Sequence, residues 1–291
     1  MENLSFIPET VETKIINLQD VEHVDYNVVR SNDLIVSSSK LSINEAKVIY
    51  TVIAQILKSD KLTYWYSFTT KQLQTLCNLN EGNIRRDLLK LKDSLMDKKF
   101  TIIETYKNAK GELKTREAEY HWLYGIKHDS NRWDIRLHNE LMPFVLKLKD
   151  NFTSDKLKEL TSYSSYSALR IHELLSMEFW KRTSKMSPVK VKNYTLRLNC
   201  KIDSLKAILG LADKYENRFY NFNERVLKPS KDEINQLGFF NVEYEIKKES
   251  QIPTEIVFFI KLGHKNDRIN QLKEKESSAP LFSDEDISAM V

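Results

Sequence analysis

Residues 80–106 read NEGNIRRDLLKLKDSLMDKKFTIIETY, and the hydrophobic period changes within them. Ile84, Leu88, Leu91 and Leu95 recur on one helical stripe, whereas FTIIETY alternates with period two. Asn80 can cap the helix, and NAKGE (108–112) supplies a turn after the first strand. Upstream, Thr70 can cap the short helix KQLQTLCNL, and YWYSF (64–68) carries a strand signal. Ser42 and Glu45 in LSINEAKVIYTVIAQIL (41–57) have capping-box spacing, ahead of an apolar face formed by Ala46, Val48, Ile49, Val52 and Ile53. Downstream, TREAEYHWLYGIKH (115–128) and NRWDIRL (131–137) continue the strand pattern. Helix, short strand, helix, helix and hairpin is the order of a winged helix-turn-helix.

The same order returns. Ser164 or Ser165 can cap SYSALRIHELLSMEFWKR (165–182), and the polar stretch TSKMSPVKVKN (183–193) leads to the strand YTLRL. The helix IDSLKAILGL stops near Gly210, and Asp213 with Glu216 gives a capping-box pattern before YENRFYNFNERVLK. Pro229 cannot continue that helix without losing a hydrogen bond, so a kink or a fresh start is expected there. FFNVEYEIKK, a turn around Pro253 and TEIVFFIKL close the unit as a hairpin. The fold class is α+β, with two tandem winged-helix domains over 31–152 and 153–264. Acidic, flexible segments are expected at 1–30 and 265–291.

Charge agrees with this division. Residues 1–30 carry two basic and six acidic side chains and residues 271–291 two basic and five acidic, which leaves +11 on residues 31–270 of a chain whose total is +4. A basic body suits a polyanionic partner, usually nucleic acid. Other chemistry is missing. No glycine is followed by Lys, which excludes a P-loop, and the six histidines form no H-E-x-x-H or His-x-His pair. Cys77 and Cys200 are far apart in sequence, as expected of a reduced, cytoplasmic chain without a zinc ribbon. There is no basic and apolar leader, and no apolar run of about 18 residues. No catalytic residue, metal or cofactor is expected.

A winged helix lays its third helix in the major groove, so the face opposite the core stripe should be polar and basic. At about 100° per residue that face of the first domain holds Gly82, Asn83, Arg86, Lys90 and Asp93, with Arg85 beside it. Glu81, Asp87 and Asp93 would repel phosphate unless they point aside. In the second domain Phe219, Phe222 and Val226 face inward, opposite Asn217, Asn221 and Lys228, with Arg218 and Arg225 on the flanks. Arg pairs with guanine and Asn with adenine through two hydrogen bonds, whereas Lys more often meets phosphate. Lys107 and Lys110, and likewise Lys247 and Lys248, lie in or beside hairpin turns as wing contacts. Tyr64, Trp65, Tyr66, Trp122, Tyr124 and Trp133 sit in strands, where core positions are the usual reading.

Three segments carry a resemblance: VVRSNDLIVSSSKLSINEAKVIY (28–50), KLKDNFTSDKLKELTSYSSYSALRIHELL (147–175) and YNFNERVLKPSKDEIN (220–235) with the hairpin ending in IVFFIKL. In that order they resemble the initiator replication proteins of theta-replicating bacterial plasmids, over about residues 28–262. His172 stands where that family commonly has Tyr. The resemblance implies binding to direct repeats (iterons) of double-stranded origin DNA, with opening of a neighbouring A·T-rich region. It also implies recruitment of host helicase and primase, and repression of the protein's own gene by a dimer formed through the N-terminal domain. The helix bearing Arg218, Asn221, Arg225 and Lys228 would be the main reader. A tandem winged-helix repressor and a rolling-circle nickase are the rival readings.

Overall fold

The computed structural model describes residues 13–15, 26–57, 60, 63–146, 148, 150–216 and 218–266. Most of the two acidic end segments, and Asn217, lie outside the described residues. A short strand β1 (Thr13–Ile15) is followed by β2 (Asn27–Ser31), α1 (Asn32–Val36) and the two-residue strand β3 (Ser38–Ser39). In α2 (Ile43–Ala54) the expected capping box is present in both directions: Ser42 Oγ accepts from the Glu45 N–H and Glu45 Oε2 from the Ser42 N–H. Then come β4 (Trp65–Thr69), α3 (Thr70–Cys77) and α4 (Ile84–Met96). Thr69, not Thr70, caps α3, because Gln72 is correctly spaced to return the hydrogen bond to Thr69. Asn80 caps the single 3₁₀ turn Glu81–Asn83 that leads into α4.

Four strands follow, β5 (Lys99–Lys107), β6 (Leu113–His121), β7 (Leu123–His128) and β8 (Arg132–Leu137). The stretch 115–128 is therefore two strands, divided at Trp122. That residue is buried, and its N–H donates to the Lys98 carbonyl while its own carbonyl accepts from the His138 N–H. The chain thus leaves one sheet and enters another. β5 lies between β3 and β6 and pairs with both, whereas β8 and β7 join β4 and β1 in the order β1-β4-β8-β7. The wing of the first unit is β7–β8. The hairpin β5–β6, with its turn at NAKGE, is an insertion between the third helix and that wing.

Two short helices, α5 (Met142–Val145) and α6 (Leu157–Thr161), flank β9 (Phe152–Lys156). β9 pairs antiparallel with β2 from Asn27↔Lys156 to Ser31↔Phe152. The boundary expected between 152 and 153 thus falls inside a strand that pairs with the N-terminal part of the chain. Ser165 caps α7 (Tyr166–Thr183), a helix buried along nearly its whole length. The polar stretch 183–193 contains α8 (Pro188–Asn193), started by Pro188 in the first turn, where its missing N–H is harmless.

The second unit continues with β10 (Leu196–Lys201), α9 (Ile202–Ile208), α10 (Phe219–Phe222), a π-helical turn Asn223–Leu227, and α11 (Lys228–Leu237). β11 (Phe240–Glu249) and β12 (Ile252–Leu262) complete it in the order β10-β12-β11. In both units the strand after the first helix pairs antiparallel with the second strand of the wing: β4 with β8, and β10 with β12. The capping box expected at Asp213 and Glu216 is not formed. The helix begins at Phe219, and Asp213 instead pairs with Lys40 at 3.1 Å.

The two units meet on α7, whose Arg170, Glu173 and Ser176 face the first unit through a buried charge network. Arg30 donates to Asp155 and to Glu173 at 2.6 Å each, and Arg170 donates to Glu173 at 2.6 Å. Ser176 donates to Asp155 at 2.6 Å. On the other side, α11 reaches back through Glu233, which accepts from the Ser164 and Ser165 N–H groups beside the α7 cap.

Candidate nucleic-acid interface

In the second unit Phe222, Val226, Leu227, Ser230 and Ile234 are buried, and Phe219 is half-buried. Two adjacent residues, Val226 and Leu227, both face inward because the π turn fits one extra residue into the helix. Its place follows from Pro229, which has no N–H for the Arg225 carbonyl and would crowd it in a regular α-helix. The expected kink is thus a widened turn immediately before the proline. Lys206 donates to the Tyr215 carbonyl at 3.2 Å, holding the approach to α10, and Asn235 exchanges two hydrogen bonds with the Val242 backbone. The third helix is fixed at both ends.

Its outer face carries Arg218, Arg225 and Lys228 exposed, and Asn221 half-buried. The cations differ in availability. Lys228 pairs with Glu224 at 2.5 Å, and this hydrogen bond raises its pKa while holding Glu224 below the usual carboxylate range. Arg218 and Arg225 form no ion pair with the described residues. Tyr220, 74% exposed, stands between them on α10; reading aromatics only as strand residues missed it, although its place in the polar face was visible. On the wing, Lys247 pairs with Glu255 at 3.0 Å and Lys248 is exposed. The turn lies at Ser250–Gln251, both with positive φ, and not at Pro253, which is paired opposite Lys248. A cleft of about 800 Å³ separates this wing tip from the approach to the third helix.

The first unit offers a second, smaller set. Asn83, Arg85, Arg86 and Lys90 are exposed along α4. Of the three acids expected to repel phosphate, Asp87 and Asp93 pair with Arg86 at 3.1 Å and Lys92 at 3.2 Å, whereas Glu81 is exposed. Lys107 and Lys110 do not join them on the wing, since both belong to the inserted β5–β6 hairpin. The β7–β8 wing instead carries Lys127, over the Trp65 ring at 4.2 Å, and Arg132, paired with Asp134 at 2.8 Å. Sequence periodicity gave no sign of these, because strand pairing is non-local. Trp65, Tyr66, Trp122 and Trp133 are buried, as expected of strand aromatics, whereas Tyr124 is 58% exposed.

Burial raises both thiols, Cys77 to about 12 and Cys200 to about 11, so neither is a ready nucleophile at neutral pH. Among the described residues Asp155, Glu159 and His172 bring one donor atom each within 4.8 Å of one another. Both Asp155 oxygens already accept hydrogen bonds, from Arg30 and Ser176, which places Asp155 within the charge network. No helix among the described residues is long and apolar enough to cross a membrane.

The geometry agrees with known proteins. The chain is similar over 83% of its length to the Pi initiator protein, whose crystal structure was determined in complex with iteron DNA; the match covers 99% of that chain at a TM-score of 0.60 and 16% identity. At that identity the likeness shows the fold. Family models described as "Initiator Replication protein, WH1" and "Initiator Rep protein, WH2" match residues 27–176 and 201–260, the first alone spanning more than half of the chain. With two winged-helix units in this order and both models matched in the same order along the chain, the chain belongs to the initiator replication protein family.

Proposed function

We propose that this chain initiates plasmid replication by binding directly repeated sequences of double-stranded origin DNA, chiefly through the third helix of its second unit. The observation that carries this reading is the pairing state of that helix face. Arg218 and Arg225 project from a helix anchored at both ends and are not engaged by acids among the described residues, which leaves their guanidinium groups for base edges. Lys228, Lys247 and Lys248 serve phosphates, and Asn217 and Asn221 complete the reading face. Asn83, Arg85, Arg86 and Lys90 of the first unit, with Lys107 and Lys110 on the inserted hairpin, add backbone contacts. Opening of an A·T-rich region, recruitment of host helicase and primase, and autorepression by a dimer formed through the first unit belong to the same proposal. It is a non-enzymatic, cytoplasmic role.

Arg225→Ala tests the reader directly. The side chain is exposed and outside the buried stripe, so stability should change little. Binding to the repeats should fall by about 1–3 kcal/mol, with a far smaller loss on random DNA, and Arg225→Lys should rescue only in part. Equal loss on both DNAs would make Arg225 a phosphate contact. The electrostatic footprint has its own test. With roughly 6–10 phosphates neutralised, the log–log salt slope on repeat DNA should be about −5 to −9. A slope near −1, measured by anisotropy titrations at several salt concentrations, would remove the basic body from the interface. Nicking of supercoiled origin DNA in Mg²⁺ would replace initiation by enzymatic cleavage.

A further inference from the structure

The second unit carries a strongly basic surface that its reading face does not use. Between Glu178 and Asp203 the chain has seven basic side chains and no acid. This stretch covers the last turn of α7, all of α8 and β10. Arg182 pairs with Glu178 at 3.3 Å. Lys181, Lys185, Lys190, Lys192 and Arg197 are exposed and form no ion pair among the described residues. Val189 is 67% exposed and shares the outer face of α8 with Lys192, three residues on, while Val191 is buried beneath. The surface is thus basic, with an apolar side chain among its lysines.

Its place is away from the reading face. Leu196, shortly after α8, pairs with Ile260, whereas Lys201 pairs with Glu255, near the wing turn at Ser250–Gln251. From Ile252 to Ile260 a strand runs about 25 Å at about 3.3 Å per residue, so α8 and the wing turn lie at opposite ends of the sheet. The third helix starts at the wing-turn end, where Tyr215 and Phe219 line the same cleft as Ile252. A duplex seated there does not need the α8 lysines. Left open, they would hold random DNA and dilute the preference for repeats.

The chain itself supplies a counterpart. Residues 276–291, ESSAPLFSDEDISAMV, carry four acids and no base, with Leu281, Phe282 and Ile287 close to Asp284, Glu285 and Asp286. They lie outside the described residues. The described chain runs to Asn266, whose side chain donates to the Phe239 carbonyl. Phe240 is opposite Leu262 and Leu196 opposite Ile260, so the chain leaves the sheet at the end where β10 begins. α8 packs against β12. Residues 267–280 can span at most about 50 Å, which is ample. Individually weak surface ion pairs suffice, because one chain holds both partners at a high effective concentration. The acidic head suits this surface less, since its Thr13–Ile15 pairs with β4 in the first unit.

We propose that residues 276–291 dock on the α7–α8 surface of their own chain, acids on the lysines and apolar side chains on Val189, and shield it from random DNA. The docking stands on charge and position, and its consequence rests on the DNA-binding reading above. The test uses the full chain at low protein concentration and a carbodiimide, which joins an ammonium to a touching carboxylate. Mass spectrometry should find Asp284, Glu285 or Asp286 linked to Lys185, Lys190 or Lys192 in species of single-chain mass. Replacing the three acids together (Asp284→Asn, Glu285→Gln, Asp286→Asn) should abolish these links. By uncovering the lysines it should also tighten binding to random duplex about 5–10-fold, with a steeper salt slope. Adding Lys190→Ala and Lys192→Ala, both at exposed positions where folding should be unaffected, should reverse that gain. Links only between two chains, or to Lys228 or Lys248 of the reading face, would overturn the proposal. So would unchanged binding of random DNA by the triple variant. Failure of the unaltered chain to prefer the repeat would overturn the reading above, while the links still decide the docking.

Discussion

Glu173→Ala is expected to destabilise the protein by about 3–5 kcal/mol, among the largest effects open to a single side chain here. Glu173 is fully buried in α7 and accepts from Arg30 and Arg170, both also buried. Removing it leaves two guanidinium groups facing the single remaining carboxylate that contacts Arg30, that of Asp155. Arg170 keeps the Ile35 and Ser37 carbonyls as acceptors, which answer its hydrogen bonds but not its charge. Arg30 also lies over the Tyr50 ring, and both side chains are buried from solvent, which leaves little room for water to replace the lost acceptor. Glu173→Gln keeps the shape and one acceptor oxygen and should fall between. Urea unfolding followed by circular dichroism measures the loss. A change below about 1 kcal/mol in Glu173→Ala would mean that the network is hydrated and that its charges are answered by solvent.

The network also sets geometry. It joins β2, β9 and α7, so α7 is fastened to the first unit on one side while α11 grips its N-terminal cap on the other. The third helix of the second unit is therefore placed by a helix whose own position is fixed by charges of the first unit. This helps explain why the boundary between the two units is hard to draw from sequence: Asp155 of β9 and Glu173 of α7 lie after the expected junction, yet both bond to Arg30.

What could be read from the sequence was local. The Ser42–Glu45 box, the Ser165 cap, the stripe through Leu88 and Leu95, and the polar face bearing Arg218 and Arg225 each depend on residues within a few turns of one another. What escaped depends on distant partners. Periodicity shows that 100–106 and 115–121 are strands, but not that β8 rather than β6 pairs with β4, so it cannot tell the hairpin bearing Lys107 and Lys110 from the one that joins the β4 sheet. Asp213 has capping-box spacing from Glu216, yet Lys40, far away in sequence, takes its carboxylate. The π turn lies between these cases: Pro229 announces an irregularity, but only packing decides that the turn widens and turns both Val226 and Leu227 inward.

Gly210→Ala should cost nearly as much as the loss of Glu173, through shape and not charge. Gly210 ends α9 with φ of 67°, a left-handed conformation that disfavours a side chain by about 1–2 kcal/mol. A methyl group there would also overlap the Ser39 carbonyl oxygen and come within 2.9 Å of Lys40 Cγ. Ser39 has little room to give. Its Oγ accepts from Trp122 Nε1 at 3.2 Å and its carbonyl from the Tyr166 hydroxyl at 3.5 Å, while β3 is held against β5. Overpacking at such a rigid contact typically costs about 1–3 kcal/mol. Gly111 is the control, because its φ is 78° and nothing lies within 4 Å of an added methyl. Gly111→Ala therefore carries the backbone strain alone, and the excess in Gly210→Ala measures the contact between the units. Scattering from the folded variant should show a larger radius of gyration, since the second unit can relieve the overlap by moving off Ser39 and breaking the Lys40–Asp213 pair at 3.1 Å. Equal destabilisation by the two alanines, with unchanged scattering, would mean that Ser39 yields and that the close approach at Gly210 does not position the second unit.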